Sequence, residues 1–276
     1  LRTNTSKKKP MIQVSGNPDN LIKQLKECKK DFKVSSTSNS TALEFDLSKY
    51  LYSDSHFERK YLHYFQKMKA EVKRNIKVKN IIVPDYQKSK YFHFKEFTKV
   101  EMGEVLEFTN CIELDINKAY YVALYNLGYI SKDFFNLCIE LPKKIRLALV
   151  GTLATTKSIL FYENGVIKDH EIIKNDKLRN VFFHCVKVVD ECLYSFSYLA
   201  KESFIFYWVD GIYLKPYKDL KRHLKFIENK YNMQFSTDLK ERVLICKTSE
   251  QCTNIGVFKD NKDYKIFSLP NIFIKV

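Results

Sequence analysis

The sequence predicts an α+β protein: an antiparallel sheet with helices on one face, preceded by a basic, mostly helical N-terminal region. Three observations lead there. From Glu107 onward, short β-rich runs alternate with helical runs. Turn signals such as Glu163-Asn164-Gly165 and Asp210-Gly211 join neighbouring strands as hairpins rather than as parallel crossovers. Two aspartates, Asp115 and Asp210, each end an apolar, strand-like run.

Taken in order, residues 1–16 are polar and basic and read as a mobile arm. Residues 17–106 form the second region. Leu21 to Lys30 reads as a short basic helix, and Val34 to Thr41 as a Ser/Thr/Asn linker. Asp54 to Lys77 reads as a long helix, because Phe57, Tyr61, Tyr64, Phe65 and Met68 recur at three- and four-residue steps. That aromatic stripe is expected to be core packing. Pro84 ends the pattern, and Tyr91 to Phe97 alternates like a strand.

Residues 107–276 form the third region. A strand over 109–114 leads into a helix over about 117–127, stopped by Gly128. Helices follow over 132–140 and 143–157, then a hairpin of 159–162 with 166–167. Leu178 to Lys201 reads as a long helix with Val181, Cys185, Val189 and Cys192 on one face. Strands 203–209 and 212–215 flank Asp210-Gly211, a pair favoured by type I′ turns. A helix over 218–231 and strands near 241–247, 255–259 and 264–267 complete the chain.

Composition bounds the partners. The 276 residues carry 47 Lys and Arg against 32 Asp and Glu, a net charge of +15, with a pI near 9.3. Such a balance favours a densely anionic partner, and nucleic acid is the commonest. Seven cysteines, an odd number without CxxC spacing, suggest a reducing compartment such as the cytoplasm. No His/Cys cluster has zinc spacing, and His184, on an apolar helical pattern, is expected to be packed. No run is apolar for the roughly 18 residues of a membrane span, and no signal-peptide pattern is present. Leu1 in place of an initiator Met suggests a trimmed or processed start.

The chemistry is expected at the two aspartates. Carboxylates on adjacent strand ends, with Lys and Arg nearby, are what two-metal phosphoryl or nucleotidyl transfer needs. Plainer roles stand beside this one. Asp115 is also placed to cap the helix that follows, and Asp210 to serve only as a turn residue. Glu113 shares the sheet face of Asp115, as an auxiliary ligand or a solvated strand residue. Lys143 and Arg146, one helical turn apart, suit a triphosphate or simply a solvated basic face; Lys144 lies off that face.

The local sequences resemble those of family B DNA polymerases. Residues 111–121 are similar to motif A of that family, Asp-x-x-x-x-Tyr, with Asp115 as the metal-binding Asp and Tyr120 as the sugar-sensing Tyr. Residues 204–214 resemble motif C, with Asp210 on its essential second Asp and Trp208 where the family has its first. Lys143 and Gly151 match the ends of the motif B helix, and Lys262-Asp263-Tyr264 matches the Lys-x-Tyr element that meets the primer strand. The resemblance covers about residues 107–268. It implies a polymerase-type palm, RRM-like in layout, that binds Mg2+ (or Mn2+) through Asp115, Asp210 and the backbone carbonyl of Ile116. Tyr120, Lys143 and Arg146 would meet the nucleotide, and Lys262 and Tyr264 the nucleic acid.

What the resemblance implies in function is a minimal, metal-dependent nucleotidyltransferase that uses nucleoside triphosphates on DNA, with RNA as the other candidate. It suggests replication in a phage or other mobile element. Only about two dozen residues separate motifs A and B, so fingers would be nearly absent, and no sizeable thumb is expected after Lys-x-Tyr. A protein partner would then supply those functions. The alternative is a non-catalytic nucleic-acid-binding or virion-associated protein on a degenerate palm. A third reading is an RNA-binding sheet with exposed face aromatics.

Overall fold

The computed structural model describes residues 11–14, 16–37, 40–53, 61–85, 94–95, 102–249, 252–259, 264–270 and 274–275. It is α+β, with two six-stranded, mainly antiparallel sheets. The chain divides into two compact units that interleave in sequence: residues 1–80 with 136–182, and residues 81–135 with 183–276. The chain leaves the first unit after residue 80 and returns to it at 136.

The first unit departs most from expectation. Strand β1 (Met11–Val14) lies in what reads as a mobile arm. Helix α1 (Asp19–Glu27) is followed by β2 (Phe32–Thr37), β3 (Ser40–Phe45) and β4 (Ser48–Ser53). The region is therefore a strand meander and not mostly helical. The Ser/Thr/Asn run at 34–41 is a β2–β3 hairpin rather than a linker. Its hydroxyls pair across the strands, Ser36 with Thr41 at 3.3 Å and Thr37 with Ser40 at 3.0 Å. Phe32, Val34, Leu43 and Tyr52 form its core. Helix α2 (Leu62–Val78) follows, burying Met68, Val72 and Ile76 at four-residue steps. Of the expected aromatic stripe, Phe57 lies outside the described residues.

Strand β5 (Phe94–Lys95), β6 (Val105–Ile116) and α3 (Ala119–Asn126) open the second unit, and α4 (Lys132–Ile139) leads back to the first. There α5 (Lys143–Gly151), shorter than its pattern, precedes β7 (Lys157–Glu163) and β8 (Val166–Ile173). Strand β7 pairs with β2, giving the sheet order β1-β4-β3-β2-β7-β8. Asn164 and Gly165 both have positive φ, as a type I′ turn requires.

Helix α6 (Asp176–Ala200) runs into the second unit. There β9 (Phe204–Trp208), β10 (Gly211–Leu214), α7 (Leu220–Tyr231), β11 (Phe235–Ser249), β12 (Cys252–Phe258) and β13 (Tyr264–Pro270) follow. The second sheet has the order β13-β12-β11-β6-β10-β9. A short parallel pair joins β5 to β14 (Ile274–Lys275). Helix α6 packs on one face of the second sheet: Phe196 meets Phe235, and the Tyr207 hydroxyl donates to buried Asp190 at 2.8 Å. His184 is packed as expected, hydrogen-bonded through Nδ1 to the Tyr129 hydroxyl at 2.8 Å. No helix among the described residues is long and apolar enough to cross a membrane.

Candidate functional site

Strand β6 positions Asp115 by an irregularity upstream. Asn110 has φ +53°, a conformation asparagine tolerates better than most residues. It resets the alternation of the strand. Leu106 and Phe108 lean on the same cluster as Cys111, and Glu113 and Asp115 then continue that face. Ile112, Leu114 and Ile116 point the other way and are buried.

The hairpin of β9 and β10 brings Asp210 alongside. Gly211 pairs with Asp115 across the β6–β10 ladder. The Ile116 amide donates to the Asp210 carbonyl at 2.8 Å. The two aspartates therefore stand at adjoining strand ends, as their sequence contexts predict. Gly211 sits against both acids: a Cβ there would make ordinary contacts, 3.5 Å from Asp115 Oδ1 and 3.9 Å from Glu113 Oε1.

The turn differs from the expected one. Gly211 pairs with Trp208, so the two turn residues are Val209 and Asp210. Of these only Val209 has positive φ, at +60°, which is the pattern of a II′ turn rather than I′. A β-branched residue in that region is strained. Helix α3 begins at Ala119 with Lys118 as its N-cap residue, and Asp115 belongs to the strand. Tyr120 is half-buried in the first turn of α3, whereas neighbouring Tyr121 is buried and donates to the Phe134 carbonyl at 3.1 Å.

Beside the aspartates lies a network that the sequence did not announce. The Tyr213 hydroxyl donates to Glu113 Oε1 in a short hydrogen bond. Lys240 Nζ, nearly fully buried, lies 2.8 Å from Glu113 Oε2 and 2.7 Å from Asp238 Oδ2. Lys259 adds to Asp238 at 3.3 Å and Lys265 to Glu113 at 3.9 Å. Burial pushes the Glu113 carboxyl up, but the hydrogen bonds from Lys240 and Tyr213 outweigh it and hold it below the usual range. Burial raises the Tyr213 phenol, and the hydrogen bond to Glu113 and the charges of Glu113, Asp115 and Asp210 raise it further. Both candidate aspartates thus act electrically on one buried ring. Glu113 is neither a solvated residue nor a free ligand, since its oxygens are held by Tyr213 and Lys240. A lysine inside the alternating run 239–245 gives no sequence signal that it is buried.

Lys143 and Arg146 lie on α5, in the first unit. Lys143 is exposed. Arg146 donates to the carbonyls of Ile139 (2.9 Å), the last residue of α4, and of Leu141 just beyond it. Tyr264 is exposed on β13, and its side chain faces away from Asp115, because neighbouring Lys265 is the one that reaches Glu113. Lys262 lies outside the described residues.

No protein-family model matches the chain, and no curated protein matches it. Among solved structures, the family B DNA polymerase from the hyperthermophilic archaeon Pyrobaculum calidifontis is similar, with a TM-score of 0.37 and 12% identity. The match covers 74% of this chain and 32% of that polymerase, so the chain spans about a third of its length. A likeness this distant assigns no residue and no activity.

Proposed function

We propose that the chain is a metal-dependent nucleotidyltransferase, designed like a minimal family B DNA polymerase and adding nucleotides to a nucleic-acid end. One observation carries this: the register that sets Gly211 against Asp115 and ties the Asp210 carbonyl to the Ile116 amide. It places two acids at neighbouring strand ends beside a glycine.

Asp115 and Asp210 would hold Mg2+ or Mn2+, with the Ile116 carbonyl as a further donor. Among the described residues no group of three or more His, Cys, Asp or Glu is placed to hold a metal ion. A pair still suits Mg2+, which keeps several waters and takes one or two carboxylates plus substrate phosphate oxygens. The ion would supply charge neutralisation at the phosphates. The chain's own groups do the rest. Tyr120 would lie beneath the sugar, and Lys143 would add charge for the triphosphate. Arg146 serves that role less well, since it already donates to two carbonyls.

The second reading is a nucleic-acid-binding protein on a palm that has lost its chemistry. Trp208 in place of a first motif C acid favours it, as does the capture of Glu113 by Lys240. A primer-extension assay with labelled deoxynucleotides and Mg2+ or Mn2+ separates the two. The wild type should extend the primer, and Asp210→Asn should lose extension while DNA affinity stays within about twofold, because phosphate contacts come from many Lys and Arg. Extension retained in the variant, or absent from the wild type, removes the catalytic reading.

A further inference from the structure

The second sheet has two unlike ends. Near Asp115, α6 covers the face opposite the carboxylates. Farther along, the same face carries residues that are partly or largely exposed among the described residues. Three cross-strand rows lie on it. Arg242, Phe258 and Tyr264 are in register across β11, β12 and β13, with Leu244, Gly256 and Ile266 in the next row and Asn254 beside Ser268 in the third. The Phe258 and Tyr264 rings stack with centroids 5.7 Å apart. The Arg242 guanidinium stands over the Phe258 ring at 4.7 Å, and Ser268 donates to Asn254 at 2.7 Å. Tyr264 is 56% exposed and Ile266 64% exposed. Gly256 leaves the middle of the patch flat: a Cβ there would stand 2.8 Å from the Phe258 ring.

We infer that this face is a stacking platform for single-stranded nucleic acid, separate from the carboxylate end of the sheet. Exposed aromatic and aliphatic side chains on a sheet face offer flat surface to any base, and the Arg242 guanidinium beside them, paired with Glu107 at 3.7 Å, adds a cation–π contribution. A polar row at hydrogen-bond spacing can meet base edges. The chain's charge of +15 supplies the complementary field. Paired bases cannot present their faces in this way, so the ligand is an unpaired strand. A binding patch of this kind also accounts for Ile266 and Tyr264 being left in water on a regular sheet.

The test uses the full chain and a fluorescein-labelled oligothymidylate, read by anisotropy. Tyr264→Ala should weaken binding about tenfold, since stacking on one ring is worth roughly that factor. The slope of log affinity against log salt should stay the same, because no charge is removed. Tyr264→Trp should keep wild-type affinity. An unchanged affinity for Tyr264→Ala overturns the platform, as does an equal loss in Tyr264→Ala and Tyr264→Trp, which would report a structural role. The anisotropy assay contains no nucleotide and no divalent metal, so loss of primer extension and loss of the platform are seen separately.

Discussion

At the scale of the residue, Val209 and Glu113 have measurable consequences. Val209 holds a left-handed conformation that costs a side-chain-bearing residue about 1–2 kcal/mol. Glycine removes that cost but adds about 0.5–1 kcal/mol of unfolded-chain entropy. Val209→Gly should therefore stabilise the protein by about 0.5–1 kcal/mol, a rise in Tm of a few degrees by calorimetry. If the strain serves to aim Asp210, the same variant should extend primers more slowly despite melting higher. For Glu113, the folded carboxyl lies below its unfolded value. Its contribution is present above the unfolded carboxylate range and fades as pH falls through the folded value. Glu113→Gln should destabilise the protein at pH 7 by about 3 kcal/mol, as for a broken buried pair, and so lower Tm clearly. The gap to wild type should close as pH falls below the usual carboxylate range, and a gap independent of pH would show that the Lys240 pairing does not set it.

At the scale of the element, Gly165 closes the β7–β8 turn at φ +77°, and a Cβ would fall 2.4 Å from the Lys26 carbonyl. Gly165→Ala should cost about 2 kcal/mol or more, from conformation and clash together. Urea unfolding should show a lower midpoint at unchanged slope. Its Glu-Asn-Gly signal was legible in the sequence because a type I′ turn asks for those residues. The long helix α6 was legible for a similar reason, its apolar period matching the helical one. The strand that carries Asp115 and its adjacency to the Asp210 turn also followed from pattern. The strands β2–β4 did not. Ser and Thr score as linker residues, and only their pairing across the β2–β3 hairpin, with β7 on the outer edge of β2, makes them a sheet. The Glu113–Lys240–Tyr213 network was hidden for the same reason, since each member lies on a different strand.

At the scale of the whole molecule, charge gives one more prediction. A basic chain that binds nucleic acid displaces condensed counterions, so affinity should fall linearly in log–log form with salt, with a slope of about −0.7 per phosphate contacted on a single strand. A fluorescence titration from low to physiological salt measures it, and a flat line would mean that the excess Lys and Arg do not meet phosphate. The interleaving of the two units has a different consequence, in the order of events during synthesis. Val34 of β2 finds its ladder partner Leu160 on β7 only about 125 residues later, a wait of roughly 6–25 s at ~5–20 residues per second. Strand β6 likewise emerges with both edges open and stays so until β10 and β11 follow. The nascent chain thus carries two unfinished sheets at once on the ribosome, each with exposed strand edges that invite mispairing. Slower codons or a holding chaperone over that interval should raise the yield of folded protein, whereas a fragment ending before β7 should aggregate.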